Sequence, residues 1–377
     1  MIYLDNAATT WQKPPEVYDA VMYAMKNASS PGRGAYSGAR RASDIVFEAR
    51  ERLASLFNID YPERIAFTCN STQALNTGLK GIAESGDTIV ISSMEHNSVL
   101  RPAYKMKDQG VNLKIVNADK NGIVNPEEIQ KALYGGTKLL CLNHASNVCG
   151  SVNDIEKIGS MAKKMGVIFM VDVAQSAGTI PIDVKKCNID ILAFPGHKGL
   201  LGPQGTGGIY IGEGITLKTL TEGGTGSLSE SYYQPDILPD RYESGTLNVP
   251  GIAGLSAGCK FILKHGIDSI AKSERELTKM LAEDLSVIPG VKLYGTGDYL
   301  NNAAVLSITT PMDCVELSGR LNSEYKISTR AGLHCAPLAH KTLGTFESGT
   351  TRFSPGIFNT KRDIKQTAYA VEKILQQ

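Results

Sequence analysis

No apolar run in this 377-residue sequence reaches the roughly 20 residues that a membrane span needs. The run in GVIFMVD is broken by Asp172. The opening MIYLDNAATT has neither a basic region nor a long apolar core, so no signal peptide is expected. Net charge is only +1, which points to neither nucleic acid nor an anionic membrane as partner. The seven cysteines are odd in number and contain no CxxC. A disulfide framework and a zinc ribbon are therefore disfavoured, no metal site is expected, and reduced thiols in a cytoplasmic setting are. A P-loop, an HExxH zincin helix and a GxSxG nucleophile elbow are all absent. There is no internal repeat and no low-complexity tract.

What is present is an alternation of strand-like and helix-like segments from about residue 60 to 210. RIAFTCN, DTIVISSM, VNLKIVN, KLLCLNHAS, VIFMVDV and IDILAF have the near-continuous apolar character of buried strands. Between them lie helical patterns, one capped by Ser71 or Thr72 and one opened by Asn125-Pro126-Glu127-Glu128. The expected class is α/β, a mostly parallel sheet with helices on both faces. After residue 250 two long helical patterns lead into short strands and a closing helix, Asp363 to Leu375, the texture of a smaller α+β domain. The expected division is a large domain over 14–255 and a small domain formed by 1–13 and 256–377. In such sheets ligands bind beyond the carboxyl ends of the strands.

Two residues fall at such ends. Lys198 follows the run IDILAFPGH and precedes a Gly-rich segment; Asp172 ends GVIFMVD, with Gln175 just behind. A lysine at the end of a buried strand can lose basicity and form a Schiff base with an aldehyde. A buried carboxylate needs a cationic partner. Together they are the minimum equipment of a pyridoxal-phosphate site. Each alone has a plainer explanation, a solvated lysine or a helix cap. Ser71 and Thr72 stand at a strand-to-helix junction suited to a phosphate, though ordinary capping explains them equally well. His96, in SSMEHNSVL, lies at another strand end, where its ring can stack on an aromatic cofactor. Cys335, in STRAGLHCAPLAH, has Arg330 five residues before it and His334 adjacent, and either cation would favour the thiolate. Most cysteines are buried and inert, and the other six are read that way. Arg352, in GTTRFSPGIFNT, suits a bidentate carboxylate, or is a surface arginine.

Taken in order, these segments resemble the class V aminotransferase-like pyridoxal-phosphate enzymes, and among them the cysteine desulfurases and selenocysteine lyases. The resemblance runs nearly end to end: YLDNAATT, FTCNSTQALN, EHNSVL, HASNVCG, DVAQ, GHK, YESGTLN and RAGLHCAP. It implies the fold type I of these transferases. It also implies site roles. Lys198 carries the Schiff base, Asp172 meets the ring nitrogen, Gln175 the phenolic oxygen, and His96 stacks on the ring. His197, Ser71 and Thr72 surround the phosphate, and Asn147 lies near cofactor and substrate. Gly245 and Thr246 reach the phosphate of a neighbouring subunit's cofactor, which implies a homodimer with shared sites. RAGLHCAP resembles the short catalytic loop of the group II, SUF-type desulfurases, which places Cys335 as the persulfide-forming nucleophile and Arg330 and Arg352 beside the substrate. Two positions depart from the pattern. Pro195 stands where the family usually has a phosphate-binding serine, and Leu333 where the group II loop carries a histidine.

The activity this resemblance implies is conversion of L-cysteine to L-alanine, leaving a persulfide on Cys335 for transfer to an acceptor protein, as in iron–sulfur cluster assembly. A selenocysteine lyase is one alternative, which the sequence does not separate from a desulfurase; another class V reaction, such as an aminotransferase, kynureninase or racemase, is the other, and Cys335 in its short loop speaks against it. A non-catalytic cofactor-binding scaffold is the remote one, and the intact Lys198, Asp172, His96 and Cys335 speak against it.

Overall fold

The computed structural model describes residues 1–32 and 34–377. The chain begins with β1 (Ile2–Tyr3), α1 (Pro15–Asn27) and α2 (Ser37–Phe57). Then come β2 (Ile65–Thr68), α3 (Ser71–Ile82), β3 (Thr88–Ser92), α4 (Asn97–Asp108) and β4 (Asn112–Val116). They are followed by α5 (Pro126–Leu133), β5 (Thr137–Asn143), α6 (Ile155–Lys164), β6 (Ile168–Asp172), β7 (Ile191–Pro195) and β8 (Gly207–Ile211). These strands form a seven-stranded sheet in the order β2-β8-β7-β6-β5-β3-β4. β4, β3, β5, β6 and β7 pair in parallel; β8 runs antiparallel to both β7 and β2.

Alternate residues of each central strand enter different layers, as the two-residue period requires. Leu140, Leu142, Phe169, Val171, Leu192 and Phe194 pack on one face with α2 and α6. Leu139, Cys141, Met170, Ile191 and Ala193 pack on the other with α3 and α4. Covering both faces explains why these strands carry no polar alternation.

The Gly-rich stretch after Lys198 holds β8, a strand that its glycines disguise in the sequence. Gly207 is required there: a Cβ would lie 2.8 Å from the backbone of Asn70 and 2.9 Å from the carbonyl of Phe194. With no side chain at 207, β8 lets the start of α3 approach it closely.

The second unit follows α7 (Val249–His265) and opens with α8 (Ile267–Ser286). It contains β9 (Lys292–Tyr294), β10 (Leu306–Thr309), α9 (Cys314–Tyr325), β11 (Ile327–Ser328) and β12 (Arg330–Gly332). α10 (Pro337–Leu343), β13 (Thr350–Phe353) and α11 (Lys361–Leu375) complete it. Its antiparallel sheet has the order β12-β13-β10-β9, and β1 pairs in parallel with β11. Residue 255 falls inside α7, whose Val249, Ile252, Leu255, Cys259 and Ile262 belong to the core of the large sheet. We place the domain boundary at Gly266, the residue that ends α7 and precedes α8.

Candidate active site

The carboxyl ends of β3, β5, β6 and β7 open into a cleft of about 270 Å³, closed from the other side by residues of β12 and β13 and the turn between β12 and α10. Asp172 is the last residue of β6 and Pro195 the last of β7, so Gly196, His197 and Lys198 turn over the sheet edge. Asp172 is 4% exposed, accepts a 2.9 Å hydrogen bond from the Ala174 N–H, and has no ion-pair partner among the described residues. Burial raises its carboxyl above the ordinary range, with Ala174 and Lys198 opposing. Lys198 also lines the cleft. Burial brings its amine down to about 8; Asp172 opposes that shift, and Arg352 and Arg330 add to it. A fraction of this amine is uncharged near neutral pH, the state that bonds an aldehyde.

His96 caps α4. Its Nδ1 accepts from the Ser98 N–H at 3.1 Å and lies 2.9 Å from Ser98 Oγ. An accepting Nδ1 puts the proton of the neutral ring on Nε2. Burial lowers its pKa to about 4, helped by Lys198 and Arg330, so the ring is neutral at pH 7. Ser98 also pairs with Thr72 Oγ1 at 2.7 Å and so ties the start of α3 to that of α4. His197 is likewise neutral, lowered to about 4 by burial, and bonds Thr9 Oγ1 at 3.1 Å. Gln175 lines the cleft while its Nε2 donates to the Ala7 carbonyl at 3.0 Å.

The helix cap expected at Ser71 or Thr72 is Asn70, whose side chain accepts from the Gln73 N–H at 2.9 Å. An extended Asn70 makes the sharp turn that Ser and Thr, one step later, do not. Ser71 and Thr72 are therefore the first residues of α3 and line the cleft, and Ser71 Oγ is buried without a hydrogen-bond partner. Pro195 lines the same cleft and offers no donor.

On the facing wall, Cys335 is exposed and its Sγ lies 3.8 Å from Arg330 Nη2. His334 and Cys335 have φ of 47° and 59°, two consecutive side-chain-bearing residues in the left-handed region. The turn is held there. Asn147 Nδ2 donates to the His334 carbonyl at 2.7 Å, and the Asn97 N–H, at the start of α4, donates to the Cys335 carbonyl at 2.7 Å. The His334 side chain turns inward to Thr350 Oγ1 at 2.9 Å, and burial pushes it down to about 2. It is neutral, so the cation expected from either neighbour comes from Arg330 alone. Arg352 is 1% exposed; its Nη2 donates to Asp5 Oδ1 at 2.7 Å and its Nη1 to the Asn147 carbonyl at 3.0 Å. Its Nε is buried without a partner. Sequence reasoning missed Asn70 and Ser98, which line the cleft, and Asp5 and Asn97, which act on it through Arg352 and the Cys335 turn; only Asn70, as a polar residue preceding a helical run, carried a local signal.

Gly245 and Thr246 do not join this cleft. They line a separate surface depression with Phe47 and Arg50.

A sheet of this topology with a lysine and a carboxylate at adjacent strand ends defines a fold class, and the comparisons give the family. The model of the family "Aminotransferase class-V" matches residues 2–367, and the chain belongs to that family. A probable cysteine desulfurase of Methanothermobacter thermautotrophicus is 36% identical over 99% of this chain and 94% of its own. One of Pyrococcus abyssi is 34% identical over 100% of this chain and 94% of its own. The apo cysteine desulfurase of Thermococcus onnurineus NA1 superposes with a TM-score of 0.94 at 32% identity, over 100% of this chain and 94% of that one. The Escherichia coli cysteine desulfurase CsdA, in an S-sulfonic acid form, gives 0.90 at 28% identity, over 99% and 94%.

Pyridoxal phosphate is the cofactor of this family, and the residues present fit it. Asp172 is a buried carboxylate lacking a cation, which a ring N–H supplies. Ser71 Oγ is an orphaned hydroxyl beside a helix start, where a phosphate oxygen would satisfy it. Lys198 is a weakly basic amine between them.

Proposed function

We propose that this protein is a pyridoxal-phosphate-dependent cysteine desulfurase with the short-loop character of group II, taking L-cysteine to L-alanine and leaving the sulfur on Cys335. One observation carries this reading: a thiol 3.8 Å from a guanidinium, held on a pinned turn across the cleft from Lys198. When bound, the cofactor supplies an aldehyde for the substrate amine and a ring that accommodates electrons from the α-carbon. Lys198 Nζ would hold the cofactor's aldehyde, and its amine, brought down to about 8 by burial, is suited to taking and returning a proton at the substrate α-carbon. Asp172 would hold the ring nitrogen in its protonated form. His96, with its proton on Nε2, would face the ring and could pass a proton. Ser71, Thr72 and His197 would hold the phosphate, and Gln175 would meet the phenolic oxygen.

Arg352, braced by Asp5 and Asn147, receives the substrate carboxylate. Cys335 Sγ, with Arg330 Nη2 at 3.8 Å, then attacks the substrate sulfur: an S–S bond forms as the substrate Cβ–S bond breaks, and the electron pair left on the three-carbon fragment takes up a proton to give alanine. The exposed position of Cys335 leaves the persulfide open to an acceptor protein. We further propose a homodimer in which Gly245 and Thr246 of one subunit complete the partner's phosphate site. Their separation from the cleft of their own chain supports this, as do the exposed Phe47, Tyr232 and Tyr233. All seven cysteines are free, which suits a reducing, cytoplasmic setting.

The test is mass spectrometry of the Cys335 peptide after cysteine addition, with alanine quantified. The native protein should gain sulfur on Cys335 and release alanine. Cys335→Ala should keep the cofactor absorbance and form no persulfide. Sulfide release at the native rate from Cys335→Ala would rule out the nucleophile.

A further inference from the structure

Arg330 and Arg352 are directly opposed residues on the antiparallel strands β12 and β13. Like charges in that register repel. Arg352 is 1% exposed, so water does little to relieve it. Among the described residues Asp5 is the one carboxylate in an ion pair with either arginine, 2.7 Å from Arg352 Nη2. Asp5 is not a lining residue of the cleft. It stands behind Arg352, on backbone fixed by its neighbours: the Leu4 N–H donates to the Ser328 carbonyl, the Ser354 N–H to the Leu4 carbonyl, and the Ala7 N–H to Ser354 Oγ. The N-terminal segment thus delivers one fixed negative charge to a pair of positive ones.

We propose that Asp5 is a positioning and specificity-determining residue: it orients Arg352 and reduces the pair's net charge from two to one, so that the cleft favours amino acids with one carboxylate over those whose side chain is also anionic. The inference rests on the proposed function, because that reading seats the substrate carboxylate at Arg352 and brings the substrate side chain to Cys335, beside Arg330. A single carboxylate balances the remaining charge. A second anionic group would then face the Asp5 field with no unmatched cation left. The same field acts on the first carboxylate of every ligand alike, so it cancels when two ligands are compared.

The experiment titrates the holoenzyme with L-alanine and with L-aspartate, following the cofactor absorbance, in the native protein, Asp5→Asn and Asp5→Glu. Asp5→Asn keeps an acceptor for Arg352 and removes the charge. It should raise the affinity for L-aspartate relative to L-alanine by about three- to tenfold, the scale of one unit charge at partly buried distances. Asp5→Glu should keep the native ratio. Asp5→Ser, which also removes the charge, stands in should Asp5→Asn fold poorly, and must move the ratio the same way. A purely structural role would weaken both ligands and leave their ratio alone. An unchanged ratio in the neutral variants, or a shift toward alanine, overturns the proposal. The titration reads binding only, so failure of Cys335 to gain sulfur would sink the desulfurase reading while leaving this ratio measurable.

Discussion

At the residue scale the cleft divides into charges that are matched and charges that wait for a ligand. Asp172 waits for a cation, and Ser71 Oγ waits for an acceptor or a donor. The histidines carry no charge: His96, His197 and His334 are neutral, each lowered first by burial. That leaves Arg330, with Nη2 3.8 Å from Cys335 Sγ, as the neighbouring cation that the proposed function assigns to the thiol. Arg330→Gln should slow alkylation of Cys335 by iodoacetamide at pH 7 several-fold, with its rate read by mass spectrometry of the peptide. An undiminished rate would move the activating charge elsewhere. The sequence made His334 and Arg330 equal candidates, because adjacency along a chain says nothing about where a side chain turns. With φ positive at both His334 and Cys335, the histidine is sent inward to Thr350 and the thiol outward.

At the element scale, helix starts organise the site. α3 and α4 begin beside each other and are joined by the Thr72–Ser98 contact; α4 also holds the Cys335 turn through the Asn97 N–H. The cap of α3 is Asn70. Asn70→Ala should lower stability by about 1 kcal/mol in urea unfolding, the usual cost of such a cap. It should also speed cofactor loss on dialysis, since Ser71 and Thr72 would no longer be held. Equal retention of cofactor by the variant would show that α3 does not depend on that cap for the site. Strands with continuous apolar runs were legible in the sequence, and so was the cap at Asn125. β8 was not, because glycine at 207 and 208 answers a demand for close packing that only the fold imposes.

At the scale of the whole molecule, buried titratable groups set the response to pH. Glu95 and Glu274 are both raised to about 8 by burial. Between their ordinary value of 4.5 and 8 the native protein keeps protons that the unfolded chain has released. Stability therefore falls as pH rises through that window. His144 is lowered by burial from 6.5 to about 4, so the unfolded chain binds the extra proton there and stability falls as pH drops from 6.5. His334 and His340 act in the same direction. The two effects oppose each other from 4.5 to 6.5, and above 6.5 only the carboxyl slope remains, so stability should decline from there to about 8. Glu274→Gln should flatten the decline, measured as Tm between pH 6.5 and 8. An identical decline in the variant would mean that Glu274 ionises without penalty in the native fold.

The sequence by itself determined the class of the sheet, the strand ends that carry Asp172 and Lys198, and the family, because burial on both faces and cofactor chemistry leave marks in contiguous segments. Only the tertiary structure decided which cation meets Cys335, that Asn70 rather than Ser71 or Thr72 caps α3, and that Asp5 stands behind Arg352. Those pairings join residues up to 347 positions apart. They depend on strand register and on which way a turn throws its side chains, and neither is written in the identity of a residue or its neighbours.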